Sequence, residues 1–173
     1  DANTALGAFA LQGDSERLSM TNCVGVGYNA LRKIDEASFN IAVGSRALED
    51  CITGNSNIAI GYNALVANTT KGQNIAIGRD ALKVQTDGGE FNVAVGTYSL
   101  DENTFGDKNV ALGYVALGKN TEASYNTGIG TESLKLNTTG TNNTGLGYAA
   151  GDVVSTGSQN VLIGASTDPG AAD

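Results

Sequence analysis

A five-residue signature closes on glycine every 17 residues along nearly the whole chain, at Gly7, Gly27, Gly44, Gly61, Gly78, Gly96, Gly113, Gly130, Gly147 and Gly164. Only two intervals depart from 17, the first at 20 and the fifth at 18. The signature reads Asn, an aliphatic residue or Thr, Ala or Gly, an aliphatic residue, Gly, as in NIAVG at Asn40–Gly44, NIAIG at Asn57–Gly61 and Asn74–Gly78, and NVALG at Asn109–Gly113. It departs from this only in CVGVG at Cys23–Gly27 and NVLIG at Asn160–Gly164. A period this short and this regular means one structural unit stacked on copies of itself. Two packed helices need about 34 residues per unit, so a helical repeat is excluded. What fits is one coil of a parallel β-solenoid per repeat, each coil about 4.8 Å above the last.

The expected fold is therefore an all-β parallel β-solenoid or β-roll of about ten coils, with residues 1–173 forming a single repeat domain. Coils begin near Asn3, Cys23, Asn40, Asn57, Asn74, Asn92, Asn109, Asn126, Asn143 and Asn160. With Asn as position 1 and the closing glycine as position 5, positions 2 and 4 carry Ile, Val, Leu or Thr. This is a strand signal of period two that places them on one face. Positions 8 and 9 are Ala or Ser followed by Leu (Ala47-Leu48, Ala64-Leu65, Ser133-Leu134), a second short element whose Leu is expected in the same interior as positions 2 and 4. A turn follows, often Asn-Thr-x-Gly as at Asn103–Gly106 and Asn137–Gly140. The extra residues of the two longer repeats, within Asp14–Asn22 and at Gly88-Gly89, are expected beside that corner.

Two columns stand out. The position-1 asparagines (Asn40, Asn57, Asn74, Asn92, Asn109, Asn126, Asn143, Asn160) are expected to hydrogen-bond up and down the stack as a structural ladder. Position 3 is almost always tiny: Ala42, Ala59, Ala76, Ala94, Ala111 and Gly128 are typical. If positions 2 and 4 line the core, position 3 faces outward, and a file of small residues there predicts close approach by another copy of the chain. A coil so narrow that it admits only Ala is the competing account of the same column.

The pattern NIAIG…AL…NTT resembles the tail-fibre-associated N-T-A-I-G repeats of phage and large-virus fibres. It is also similar to the head repeats of trimeric autotransporter adhesins, which carry an N-x-A-I-G strand on a shorter period. The resemblance covers the whole chain, and it implies a homotrimer of parallel β-rolls within an extracellular, cell-surface or virion fibre. It carries over no catalytic or ligand-binding residue.

Composition narrows the chemistry. There is no His, which removes Ser–His and Cys–His nucleophile pairs and imidazole metal sites. The acidic residues Glu49, Asp50, Asp80, Asp101, Glu102 and Glu132 fall at varied positions of the repeat and read as a solvated surface. Gly/Asp calcium-roll motifs are absent, so no enzyme activity, metal or cofactor is expected. A net charge of −8 without a basic run makes nucleic acid a poor partner. No apolar stretch is long enough to span a membrane, so no membrane insertion is expected. Cys23 and Cys51 occupy different repeat positions and read as buried thiols, a disulfide being open but not indicated. The chain opens on Asp1, as a processed product or excised piece would.

The expected role is a structural or adhesive fibre segment that spaces or presents an attachment tip. The alternative is a ligand-binding solenoid. Tyr28, Tyr62, Tyr114 and Tyr148, all at position 6, form one candidate surface for cell-surface carbohydrate. Thr69, Thr86, Thr104, Thr121, Thr138 and Ser155 at position 13 form a hydroxyl file of the kind that binds ice.

Overall fold

Three residues per coil, positions 2 to 4, form strand, and glycine ends each of them. The computed structural model describes residues 2–13, 19–85 and 88–169. It holds ten strands: β1 (Thr4–Leu6), β2 (Val24–Val26), β3 (Ile41–Val43), β4 (Ile58–Ile60), β5 (Ile75–Ile77), β6 (Val93–Val95), β7 (Val110–Leu112), β8 (Thr127–Ile129), β9 (Thr144–Leu146) and β10 (Val161–Ile163). They pair in sequence order as one parallel ten-stranded sheet. Register follows the repeat without slippage, as in Ile58↔Ile75, Ala59↔Ala76, Ile60↔Ile77. The described residues include no helix, and the chain is a β-solenoid.

The opposite wall is not a second strand. Positions 6 to 11 are turns, and positions 7 and 9 hold left-handed backbone, for example Asn63 (φ 56°), Leu65 (φ 51°), Asp80 (φ 54°) and Leu82 (φ 49°). Such alternation cannot extend into a strand, yet it still stacks. Leu31, Leu48 and Leu65 each donate their N–H to the position-8 carbonyl of the next coil, at 3.0 Å.

The facing of the strands reverses the sequence expectation. Position 3 points inward: Ala42, Ala59, Ala76, Ala94 and Ala111 are fully buried within one chain, and Gly128 is buried beside them. None of these side chains reaches an outer surface, so this column is not an interface between copies. Positions 2 and 4 point outward instead. The physical cause is width. Leu at position 9 reaches across from the far wall and fills the coil against position 3 of the next one. A Cβ on Gly25 would sit 3.1 Å from Leu11 Cγ, and one on Gly128 would sit 3.3 Å from Leu117 Cγ. Close packing leaves room for Ala or Gly and little else.

One pair of coils inverts the arrangement. Position 9 of the ninth coil is Gly151 rather than Leu, and position 3 of the tenth is Leu162 rather than Ala. A Cβ on Gly151 would meet Leu162 Cδ1 at 2.5 Å. Large and small have exchanged walls, and the interior stays filled.

The position-5 glycines are required by close approach. Gly44 has φ 131°, and a Cβ there would lie 2.6 Å from the Gly61 carbonyl oxygen. No L side chain fits between main chains stacked this closely.

Candidate functional site

Burial of the polar columns defines what remains available at the surface. The position-1 asparagines are interior, and their links between coils run through the main chain rather than amide to amide. Asn57 donates its backbone N–H to Asn40 Oδ1 (2.8 Å), and Asn126 donates likewise to Asn109 Oδ1 (2.9 Å). Each Nδ2 then donates to a corner carbonyl, as Asn40 does to Gly54 (2.7 Å) and Asn109 to Ala123 (2.8 Å). Asn160 Nδ2 instead donates to Asn143 Oδ1 at 2.9 Å, and Asn143 Nδ2 adds a longer side-chain link to Asn137 Oδ1 at 3.5 Å.

A second interior ladder went unread in the sequence. Asn68, Asn103, Asn120 and Asn137 at position 12 look like corner residues of Asn-Thr-x-Gly, but all are fully buried. Here the bonds do pass from amide to amide: Asn120 Nδ2 to Asn103 Oδ1 (2.8 Å) and Asn137 Nδ2 to Asn120 Oδ1 (3.2 Å). Each also donates to the carbonyl three residues on, as Asn103 does to Gly106 (3.0 Å). The recurrence of Asn at a fixed position was the available signal.

The two thiols stand in for amides in these columns. Cys23 occupies position 1 and directs Sγ to the Ala37 carbonyl (3.5 Å), while Cys51 occupies position 12 and directs Sγ to Gly54 (3.4 Å). Both are free and buried. Burial raises the Cys23 thiol and pushes Cys51 up to about 12, so neither is reactive as a thiolate.

The position-13 hydroxyls face the next coil's main chain. Thr104 Oγ1 donates to Thr121 O (2.9 Å) and Thr138 Oγ1 to Ser155 O (3.0 Å). Thr86 lies outside the described residues. A hydroxyl that already donates along the stack is poorly placed to organise an ordered water layer.

The acidic residues are not all solvated. Glu49 and Asp80 are buried, at 6% and 3% exposure. Glu49 accepts from Arg32 Nε (3.0 Å), Arg46 Nε (2.5 Å) and Asn29 Nδ2 (2.9 Å). Burial alone would raise its carboxyl, but the hydrogen bonds from Arg46 and Arg32 outweigh it and leave Glu49 below the usual range. Asp80 accepts from Asn63 Nδ2 (3.0 Å) and Arg79 Nε (3.2 Å). Asp101 has weaker support, a main-chain hydrogen bond and the charges of Lys119 and Lys83. Burial, reinforced by neighbouring Glu102, pushes it up to about 6.

Two exposed surfaces carry aromatic residues. The first is the outer strand face, where positions 2 and 4 form two apolar files along the sheet. Ile41, Ile60, Ile77 and Leu146 are 36–44% exposed, and Leu6, Val161 and Ile163 are 65–70% exposed. One edge of this face carries Phe91, Lys108 and Tyr125, with the ammonium 6.0 Å from the Phe91 ring centre and 5.1 Å from that of Tyr125. The other edge carries the tyrosine column. The Arg79 guanidinium lies 5.9 Å from the rings of both Tyr62 and Tyr98, and Tyr98 meets Tyr114 edge-on at 6.3 Å.

The four position-6 tyrosines are therefore not equivalent. Tyr62 and Tyr114 belong to this stack, and no ring or cation stands over Tyr148 among the described residues. Tyr28 is set edge-on to Phe9 at 5.9 Å and borders the second open surface, a hollow of about 270 Å³. Among the described residues no cluster of three or more acidic or thiol side chains is placed to hold a metal ion, and no helix could cross a membrane.

This architecture defines the class: a β-solenoid repeat protein with one strand per coil. Comparison with family models, characterised proteins and solved structures finds no match to the chain.

Proposed function

We propose that the chain is a structural segment of a homotrimeric β-solenoid fibre, joined to its copies through the outer strand face. The observation that carries this is the outward apolar file, unbroken at position 4 and interrupted at position 2 by Thr4, Thr127 and Thr144, where a solvent-facing sheet would carry polar residues throughout. Extended apolar surface of this kind marks an interaction site. A second copy is the occupant that fits. The file repeats at every coil, so a partner must match it coil by coil, and an identical chain related by closed symmetry does so automatically. The face is supported by burial, whereas the number three, the fibre context and the extracellular or virion location rest on the resemblance of NIAIG…AL…NTT to fibre repeats.

Light scattering tests this directly. The parent should have three times the 17.6 kDa of one chain. Ile77→Asp, central on the face, should yield a folded monomer, because an exposed carboxylate is tolerated once copies separate but not between them. A parent that is monomeric at micromolar concentration overturns the proposal. Ala76→Arg cannot serve here, since position 3 is interior and the charge would disrupt a monomer as readily as a trimer.

A further inference from the structure

We infer that the hollow bordered by Phe9, Gln12, Tyr28, Asn29, Arg32 and Glu49 is a binding site for a neutral pyranose ring of a glycan. The four-tyrosine carbohydrate surface expected from sequence thereby contracts to one place. Tyr62 and Tyr114 belong to the cation and ring stack, and neither they nor Tyr148 line the hollow. Tyr28 is the position-6 tyrosine that borders this hollow, with an exposed ring, Phe9 edge-on to it and a polar wall opposite.

The chemistry of the hollow matches a sugar on three counts. Its volume of about 270 Å³ suits a single six-membered ring with its hydroxyls. Phe9 and Tyr28 are each 53% exposed and set at 80° to one another, which gives one ring face for the C–H side of a pyranose and an edge beside it. The opposite side is polar and held rigid by its own bonds. Glu49 is fixed by Arg32, Arg46 and Asn29, so these groups present hydrogen-bonding atoms without having to be ordered first. The guanidinium of Arg32 has N–H donors beyond the Nε used on Glu49, and Gln12 supplies both a donor and an acceptor.

Asn29 Oδ1 is buried without a hydrogen-bond partner, as is Asn63 Oδ1 at the same position two coils on, and in both the amide nitrogen donates to a carboxylate. A sugar hydroxyl can donate to the acceptors of the polar wall, which an ionised carboxylate or phosphate cannot. The net charge of −8 on the chain points the same way, toward a neutral ring rather than an acidic one.

The site is independent of the assembly. It is built from positions 6, 7 and 10 of the first three coils, not from the outward positions 2 and 4, so it stands or falls separately from the trimer.

Titration of isotope-labelled protein with methyl β-D-glucopyranoside, methyl β-D-galactopyranoside and methyl α-D-mannopyranoside, followed by NMR, tests it. At least one should shift the Asn29 side-chain amide, the Arg32 Nε–H and the Tyr28 ring together, with a dissociation constant of roughly millimolar order for a single ring. Tyr28→Ala should weaken binding at least about tenfold, about 1.4 kcal/mol, while Tyr148→Ala should leave it unchanged. Both positions are exposed, and equal melting temperatures establish that the variants are folded. The inference is overturned by an absence of shifts with all three probes, by unchanged binding in Tyr28→Ala, or by equal loss in Tyr148→Ala.

Discussion

The two interior asparagine columns use the same side chain and tolerate interruption very differently. At position 1 the amide oxygen accepts from the main chain of the next coil, as Asn126 N–H does to Asn109 Oδ1. The partner is present whatever residue follows, and bonds of this kind run from Asn40 to Asn160 without a gap. At position 12 the oxygen depends on side-chain donors, the next coil's amide as for Asn103 or a position-1 amide as for Asn137, which accepts from Asn143 Nδ2 at 3.5 Å. Where the next coil's side chain is Gln85, Asn68 Oδ1 and Gln85 Oε1 are both left buried without partners. A ladder anchored on the main chain is insensitive to its neighbours, whereas one made only of side chains fails at both sides of a single change.

Gln85 also shows why the failure is placed there. Its amide donates to Gly89, four residues on, where regular coils span three, as from Asn103 to Gly106. This corner holds the inserted residue, and one extra methylene in the side chain spans the added length. Reach is kept within the coil at the expense of the link between coils.

The largest effect should come from the anchored column. Asn109→Ala strands the buried N–H of Asn126 and should lower stability by about 3 kcal/mol, read as a shift in urea midpoint, with loss of hydrogen-exchange protection at Asn126. Asn120→Ala strands the Asn103 oxygen instead, and the Ala123 carbonyl keeps its bond from Asn109. About 2 kcal/mol is expected, since unpartnered acceptors are the milder defect. An equal or larger loss for Asn120→Ala breaks the comparison. Gln85→Asn alone should lose about 1 kcal/mol by failing to reach Gly89. Combined with deletion of Gly88 it recreates Asn-Thr-x-Gly and gives Asn68 Oδ1 a donor, so the melting temperature should exceed the parent's.

A contrast between strong and weak support likewise separates two carboxylates, with opposite consequences for pH. Asp101 is raised to about 6 from 3.8, so the fold binds that proton more tightly than the unfolded chain, and its share of stability increases as pH falls through about 6. Asp101→Asn should therefore melt above the parent near neutral pH, the difference closing toward about pH 4. Glu49 is lowered, so its contribution is present above the ordinary 4.5 and is lost as pH falls through the folded value. Glu49→Gln should melt below the parent near neutral pH. These melting shifts are the smallest effects in the series.

Much of the fold was legible because the repeat is read directly as register. A 17-residue interval dictates parallel in-register pairing, and the signature glycine sets the strand end at every coil. The sign of the strand faces was not legible from alternation, which says that positions 2 and 4 oppose position 3 without saying which set is inside. The bulkier set is the natural candidate for a core, but Leu at position 9 occupies that volume. One signal was present in the sequence: the coil with Gly151 at position 9 is followed by the coil with Leu162 at position 3, an exchange that makes sense only if those two positions touch. Of the surfaces, the tyrosine column could be read from spacing. The Glu49 cluster could not, because its members come from positions 7 and 10 of successive coils and share no motif.

The bonds that join one coil to the next are all drawn along the rod, from Val24 N–H to Asn40 O on one wall and from Leu31 N–H to Ala47 O on the other. A pull applied along the long axis therefore loads the outermost layer in tension while the layers behind it stay paired. A single chain under such a pull should come apart one layer at a time, each event releasing 17 residues or about 55–60 Å of slack. Its force–extension trace is set by the sequence interval itself, a sawtooth of even teeth with two longer steps, at the 20-residue first interval and at the 18-residue interval that holds Gly88.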